Sequence, residues 1–248
     1  MPDLPRRRRP ERPSWTEPIA QRLTPAIKVL VITDALLFFT FVFSDAVQPL
    51  MRNHLALGPS FLGAHELWQP LTALFIHFRP LSFVFSMIGL WWVGASVERL
   101  LGTRRFLALF FASGILGHVA AGVVSRLTGT AFIYEGCSLA VLALFVAFGR
   151  LYGREMMQVL GALVLQARQL TMLFVGFALV QDLIQGFAQG DWGSLAGTVV
   201  AVTVGYLGAA PGGLRELYDL VRARRLRRRY RVIEGGAARR SRSPKYWN

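Results

Sequence analysis

The chain has 248 residues, of which 53% are apolar and only 17% charged, and its mean hydropathy is +0.41. A soluble globular domain is nearer 25% charged and disorder requires low hydrophobicity, so both classes are excluded in favour of a polytopic membrane protein. The net charge of +14 implies an anionic partner, either a membrane surface or nucleic acid.

The first 25 residues form a basic tail containing Arg6, Arg7, Arg8 and Arg9. Proline and charge follow them rather than a short apolar core, so no cleavable signal peptide is expected. Six apolar segments then approach the roughly 20 residues that a bilayer core requires. They are 29–43, interrupted by Asp34; 81–97; 106–125; 136–149, which is short; 170–187, with Asp182 near its end; and 194–210. The apolar stretch 159–165 is too short to span, and is expected to be an interfacial turn or an extension of a neighbouring helix. The sequence therefore predicts an all-α membrane protein, a six-helix bundle over 26–210 between the N-terminal tail and a second basic tail over 211–248.

With six spans both termini share one side. Of the 28 basic residues, only Arg52, Arg79 and Arg126 fall on the other side. The positive-inside rule then puts both termini in the cytoplasm. Residues 222–231 carry Arg222, Arg224, Arg225, Arg227, Arg228, Arg229 and Arg231, with Leu214, Leu217, Leu220, Val221 and Leu226 interleaved along the tail. This pattern predicts a basic amphipathic helix that binds anionic lipid headgroups, each basic residue contributing about 1 kcal/mol near the surface. No recognition motif accompanies the charge, so nucleic acid is not an expected partner.

Ionisable residues inside spans are costly and face the bundle interior. Here they are Asp34, Glu98, His118 and Asp182, with His77 just before the second span. No ladder of acids crosses the membrane, which argues against a pump or channel. The single cysteine, Cys137, excludes an intrachain disulfide and a Cys-based metal cluster; it reads as a small buried residue. No metal or cofactor motif is present.

The fourth segment opens Gly136-Cys137-Ser138, and the sixth places Gly193, Gly197, Ala201 and Gly205 four residues apart on one helix face. Such a stripe lets another backbone approach closely, and the fourth span is its expected neighbour. The second, fourth and sixth spans all start on the outer side, so His77, Ser82, Ser86, Ser138 and Ser194 are expected to converge there.

At this point the chain resembles the rhomboid family of six-span intramembrane serine proteases. The resemblance covers about 68–207. It is carried by Glu66-Leu67-Trp68-Gln69-Pro70-Leu71-Thr72 with His77-Phe78, by Leu90-Trp91-Trp92-Val93-Gly94 followed by Glu98, Gly102, Arg105 and Phe106, by Gly136-Cys137-Ser138, and by Ser194-Leu195-Ala196-Gly197. By position, the resemblance makes Ser138 the nucleophile, and Ser194 stands where the family has the histidine that takes its proton. A neutral hydroxyl is no general base at pH 7, and 189–210 contains no histidine. The histidine and asparagine that assist the family's oxyanion hole fall at Ser82 and Ser86, while an earlier histidine matches His77. The glycine that follows the family's serine is Leu139, which is expected to crowd the fourth helix against the sixth.

His118 reads as a hydrogen-bonded structural histidine, and His54 and His65 as surface or interface residues of the first outer loop. Asp182 and Asp191 lie near the start of the sixth span, without a family pattern that makes either a base. The resemblance implies a pseudoprotease that binds client transmembrane helices without cleaving them. Two alternatives stand beside it. One is an active protease with Ser138 as nucleophile and a displaced base; the other is a non-enzymatic lipid-interacting or transport component.

Overall fold

The computed structural model describes residues 24–63, 65–159 and 163–210, so the expectations for the basic tails at 1–23 and 211–248 lie outside the described residues. Six principal helices carry the described fold: α1 (Pro25–Phe43), α2 (Pro80–Leu101), α3 (Thr103–Thr128), α4 (Ser138–Tyr152), α5 (Ala167–Gln189) and α6 (Gly193–Gly208). They coincide with the six apolar segments. Four of them, α1, α2, α3 and α5, are long and apolar enough to cross a membrane, whereas α4 and α6 are shorter. Proline opens both α1 and α2, where its missing N–H would have had no helical partner and its fixed φ suits the first turn.

The central helix is α4. Every residue from Ala140 to Phe148 is buried, and α2, α3, α5 and α6 all pack around it. Lipid is as apolar as leucine, so helices in a bilayer gain little from burial and associate through close packing instead. Glycines supply that closeness. A Cβ at Gly89 of α2 would lie 2.6 Å from Val141 Cγ1, and one at Gly205 of α6 only 2.5 Å from the Ala143 carbonyl oxygen. The small-residue stripe of α6 is expected against the fourth span; its first half meets α3 as well. A Cβ at Gly193 would strike Ser125 Oγ and the Ala121 carbonyl oxygen, and one at Gly197 would lie 3.0 Å from the Gly117 carbonyl oxygen, all on α3. A Cβ at Gly197 would also meet the Leu139 side chain of α4 at 3.1 Å, and at Gly205 the stripe faces the α4 backbone.

Leu139 does not crowd the helices apart. Its side chain lies where Cβ atoms of Gly117 and Gly197 would otherwise sit, with Cδ1 at 2.9 and 3.1 Å from those positions. Glycines on α3 and α6 make a notch for it.

The family-like Gly-x-x-x-Glu-x-x-x-Gly run also has a physical role. Gly94 admits Ile27 of α1. Glu98 accepts hydrogen bonds from Thr24, at the start of α1, and from Thr103 Oγ1 at 2.6 Å, at the start of α3. One buried carboxylate thus fastens three helices at that end.

α5 is the most exposed of the long helices: only 17% of its apolar window is buried. Near its start, Thr171 Oγ1 donates to the Phe145 carbonyl at 2.7 Å, and Phe174 stacks on Phe145 with centroids 4.1 Å apart. Near its end, Gly186 receives the Trp192 ring. The helix before it was expected to continue or to turn through 159–165. Instead β1 (Met156–Val159) pairs antiparallel with β2 (Leu163–Gln166). The backbone hydrogen bonds of this ribbon satisfy groups that an extension of α4 or α5 would have satisfied helically.

At the opposite end, the described residues of 44–79 form a folded cap of short helical turns. Gln69 is its hub: Oε1 accepts from Gly58 N, and Nε2 donates to Glu66 Oε2 at 2.6 Å and to Ser60 Oγ at 2.7 Å. His54 Nδ1 meets Glu66 Oε1 at 2.6 Å. The His54 hydrogen bond holds the Glu66 carboxyl below its ordinary range. Leu57 pairs with Tyr134 across the backbone, joining the cap to the segment before α4.

Candidate functional site

Ser138 is the first residue of α4 and is exposed. The bend that presents it depends on Gly136, which has φ +82°, a conformation that disfavours any side chain. A Cβ there would also lie 2.9 Å from His77 Nε2. The Gly136 N–H donates to the Ala73 carbonyl at 2.8 Å, so the cap holds this turn in place. A further tie comes from Glu135, which accepts from the Phe78 N–H and from Arg79 Nε at 3.1 Å.

Among the described residues the Ser138 hydroxyl makes no hydrogen bond, and none links any two of Ser82, Ser86, Ser138 and Ser194. The expected convergence therefore takes a different form. Ser86 is buried and its hydroxyl bears on the Cys137 thiol. His77 Nε2 lies 4.0 Å from Cys137 Sγ. Burial pushes the His77 imidazole down to about 4, so it is neutral at pH 7. Asp34 of α1 completes this buried group: it acts electrostatically on Cys137, and neither carboxylate oxygen has a hydrogen-bond partner. The imidazole nearest the Gly-Cys-Ser turn thus faces the cysteine rather than the serine. Ser82 is half-buried on α2.

Ser194 is the second residue of α6 and half-buried. Its Oγ donates to the Asp191 carbonyl at 3.3 Å. Together with Thr198 it also bears on the Asp182 carboxylate of α5. Among the described residues, the one hydrogen bond of the Ser194 hydroxyl is therefore to the turn that precedes α6.

The remaining histidines have other partners or places. His118 is buried, with Nδ1 3.2 Å from the Pro70 carbonyl oxygen, as expected of a structural histidine. His54 is bound to Glu66, and His65 sits in the cap at φ +60°.

One set of polar contacts had no signal in the sequence. Asp191 Oδ1 accepts from Tyr134 OH, from Ser125 Oγ at 3.0 Å and from Gly193 N at 3.1 Å. These groups come from α3, the segment before α4 and the start of α6, and no local pattern marks residues so far apart. Burial and the Asp191 hydrogen bond raise the Tyr134 hydroxyl above its ordinary range, so it stays a donor.

A family model for the rhomboid domain matches residues 64–211. The chain belongs to the rhomboid family. It is similar to "Rhomboid protease GluP" of Bacillus subtilis (strain 168), 30% identical over 129 residues that make up 50% of this chain and 25% of that protein. "Putative rhomboid protease YdcA" of the same organism is 25% identical over 124 residues, 50% of this chain and 61% of its own length. "Rhomboid-like protease 3" of Toxoplasma gondii is 22% identical over 174 residues, 55% of this chain and 66% of that protein. The matches thus span 25% to 66% of these relatives. In this rhomboid, the helical membrane scaffold is present, while Ser138 stands without an imidazole partner.

Proposed function

We propose that this rhomboid is a pseudoprotease that binds the transmembrane helix of another protein laterally and does not cleave it. The observation that carries the reading is the isolation of Ser138. Attack on an amide requires the hydroxyl to give up its proton to a base within hydrogen-bond reach, directly or through one water. All four histidines of the chain are described, and none is hydrogen-bonded to Ser138: His77 faces Cys137, His118 faces Pro70, His54 faces Glu66, and His65 lies in the cap. Ser194 supplies a hydroxyl, and that hydroxyl donates to the Asp191 carbonyl.

Lateral binding is supported by the way α2 and α5 both pack on α4 but not closely on each other. Ser138, the first residue of α4, is exposed. The charge distribution supports cytoplasmic termini, with the 44–79 cap on the opposite face. The basic tails then bind anionic headgroups on the cytoplasmic leaflet.

The test is labelling of the purified protein by a fluorophosphonate probe, with Ser138→Ala as control and an active rhomboid alongside. The expected result is no Ser138-dependent labelling. Labelling that disappears in Ser138→Ala would overturn the proposal and favour the active protease that the relatives' names suggest, with a base to be found elsewhere.

A further inference from the structure

Asp182 is 8% exposed on the packed face of α5. The groups that act on it are the hydroxyls of Thr198 and Ser194 and a second carboxylate, Asp191. No lysine, arginine or histidine is among them. Its Oδ2 accepts no hydrogen bond. Asp191 differs, because its Oδ1 already holds three donors. The deficit of positive charge is therefore centred on Asp182.

A buried carboxylate without a counter-charge is costly, and so is a basic side chain in a transmembrane helix. Each relieves the other when they pair. Lys and Arg also carry long apolar stems that let a charged head reach away from its helix axis. Ser194 and Thr198 of α6 act on Asp182, and α5, which carries Asp182, is one of the two helices between which a client helix is proposed to dock. We propose that Asp182, with Ser194 and Thr198, receives a lysine or arginine near the cap-side end of the client's transmembrane helix, and that this charge selects clients. The inference rests on the lateral-docking reading above.

The probe is a set of synthetic Leu/Ala transmembrane peptides of about 20 residues. Each carries a single Lys, Leu or Glu at the cap-side end, and binding to the full chain is measured by fluorescence energy transfer in zwitterionic nanodiscs. The Lys peptide is expected to bind at least about tenfold more tightly than the Leu peptide, with the Glu peptide weakest. Asp182→Asn, which keeps shape and one acceptor, is expected to bring Lys and Leu peptides within about twofold of each other. Carbodiimide coupling should join the peptide lysine to Asp182 as an amide with loss of water, which mass spectrometry reads without any variant.

Equal binding of Lys and Leu peptides overturns the inference while leaving lateral docking standing. A Lys preference that survives in folded Asp182→Asn, or coupling to a different carboxylate, overturns the assignment to Asp182. Failure of all three peptides to bind overturns the docking reading as well.

Discussion

Gly205→Ala tests how closely α4 and α6 are held. The new Cβ would lie 2.5 Å from the Ala143 carbonyl oxygen, 2.8 Å from its Cα and 3.0 Å from its carbonyl carbon, whereas ordinary contact starts at 3.4 Å. All three neighbours are backbone, so no side-chain rotation relieves them, and the helices must part by up to about 0.9 Å locally. A gap of roughly 0.5–1 Å forfeits a quarter to a half of each dispersion well, and overpacked cores lose about 1–3 kcal/mol. Alanine returns up to about 1 kcal/mol through its better helix propensity. The net expectation is a loss of about 1–2 kcal/mol. Gly176→Ala is the matched control: nothing lies within 4 Å of its Cβ position on α5, so only the propensity gain of up to about 1 kcal/mol remains. SDS titration in mixed micelles, followed by circular dichroism, compares the two. Gly205→Ala as stable as the unaltered protein would refute the close approach of α4 and α6.

Asp34→Leu should raise stability in the same titration by about 1–3 kcal/mol, because it removes a buried carboxylate with two unpartnered oxygens; a loss would mean that Asp34 has a stabilising partner. Tyr134→Phe should cost about 1–2 kcal/mol, since Asp191 loses one of three donors, and no change would show that the phenol is redundant there. Glu66→Gln probes the cap by pH. The Glu66 carboxyl is held below its ordinary value of 4.5, so its contribution is present above about pH 4.5 and lost as pH falls through the lowered value. Protease nicking within 44–79 should therefore increase below pH 4.5 in the unaltered protein and change less with pH in Glu66→Gln; parallel profiles would count against the His54–Glu66 bond.

The six helices were legible because each is a predominantly apolar run, and the bilayer fixes how long such a run must be. The stripe Gly193, Gly197, Ala201 and Gly205 was legible as a face, because periodicity is a property of one helix. Its partner was not, because which helix lies opposite is decided by the whole bundle: α3 for Gly193, both α3 and the Leu139 side chain of α4 for Gly197, and α4 for Gly205. The strands 156–159 and 163–166 escaped because four-residue strands give too few alternations to distinguish from a helical extension. Gly136 and Ser138 were found from a three-residue pattern. The meeting of His77 with Cys137 depends instead on the path of the 44–79 cap, which no local spacing encodes.

The shortness of α6 has a consequence for the surrounding lipid. Sixteen residues at 1.5 Å each give about 24 Å, against a hydrocarbon core of roughly 30 Å. α4 is sheltered by its neighbours, but α6 presents Val199 and Tyr206 to the outside. Lipid tails beside it must compress or tilt to avoid uncovered apolar chain ends, at fractions of a kcal/mol per Å of mismatch. Beside α3, whose 26 residues reach about 39 Å, the same bilayer is met by a helix with length to spare. The membrane around this protein is thus expected to vary in thickness with direction, thinnest along α6, and short-chain lipids should gather there.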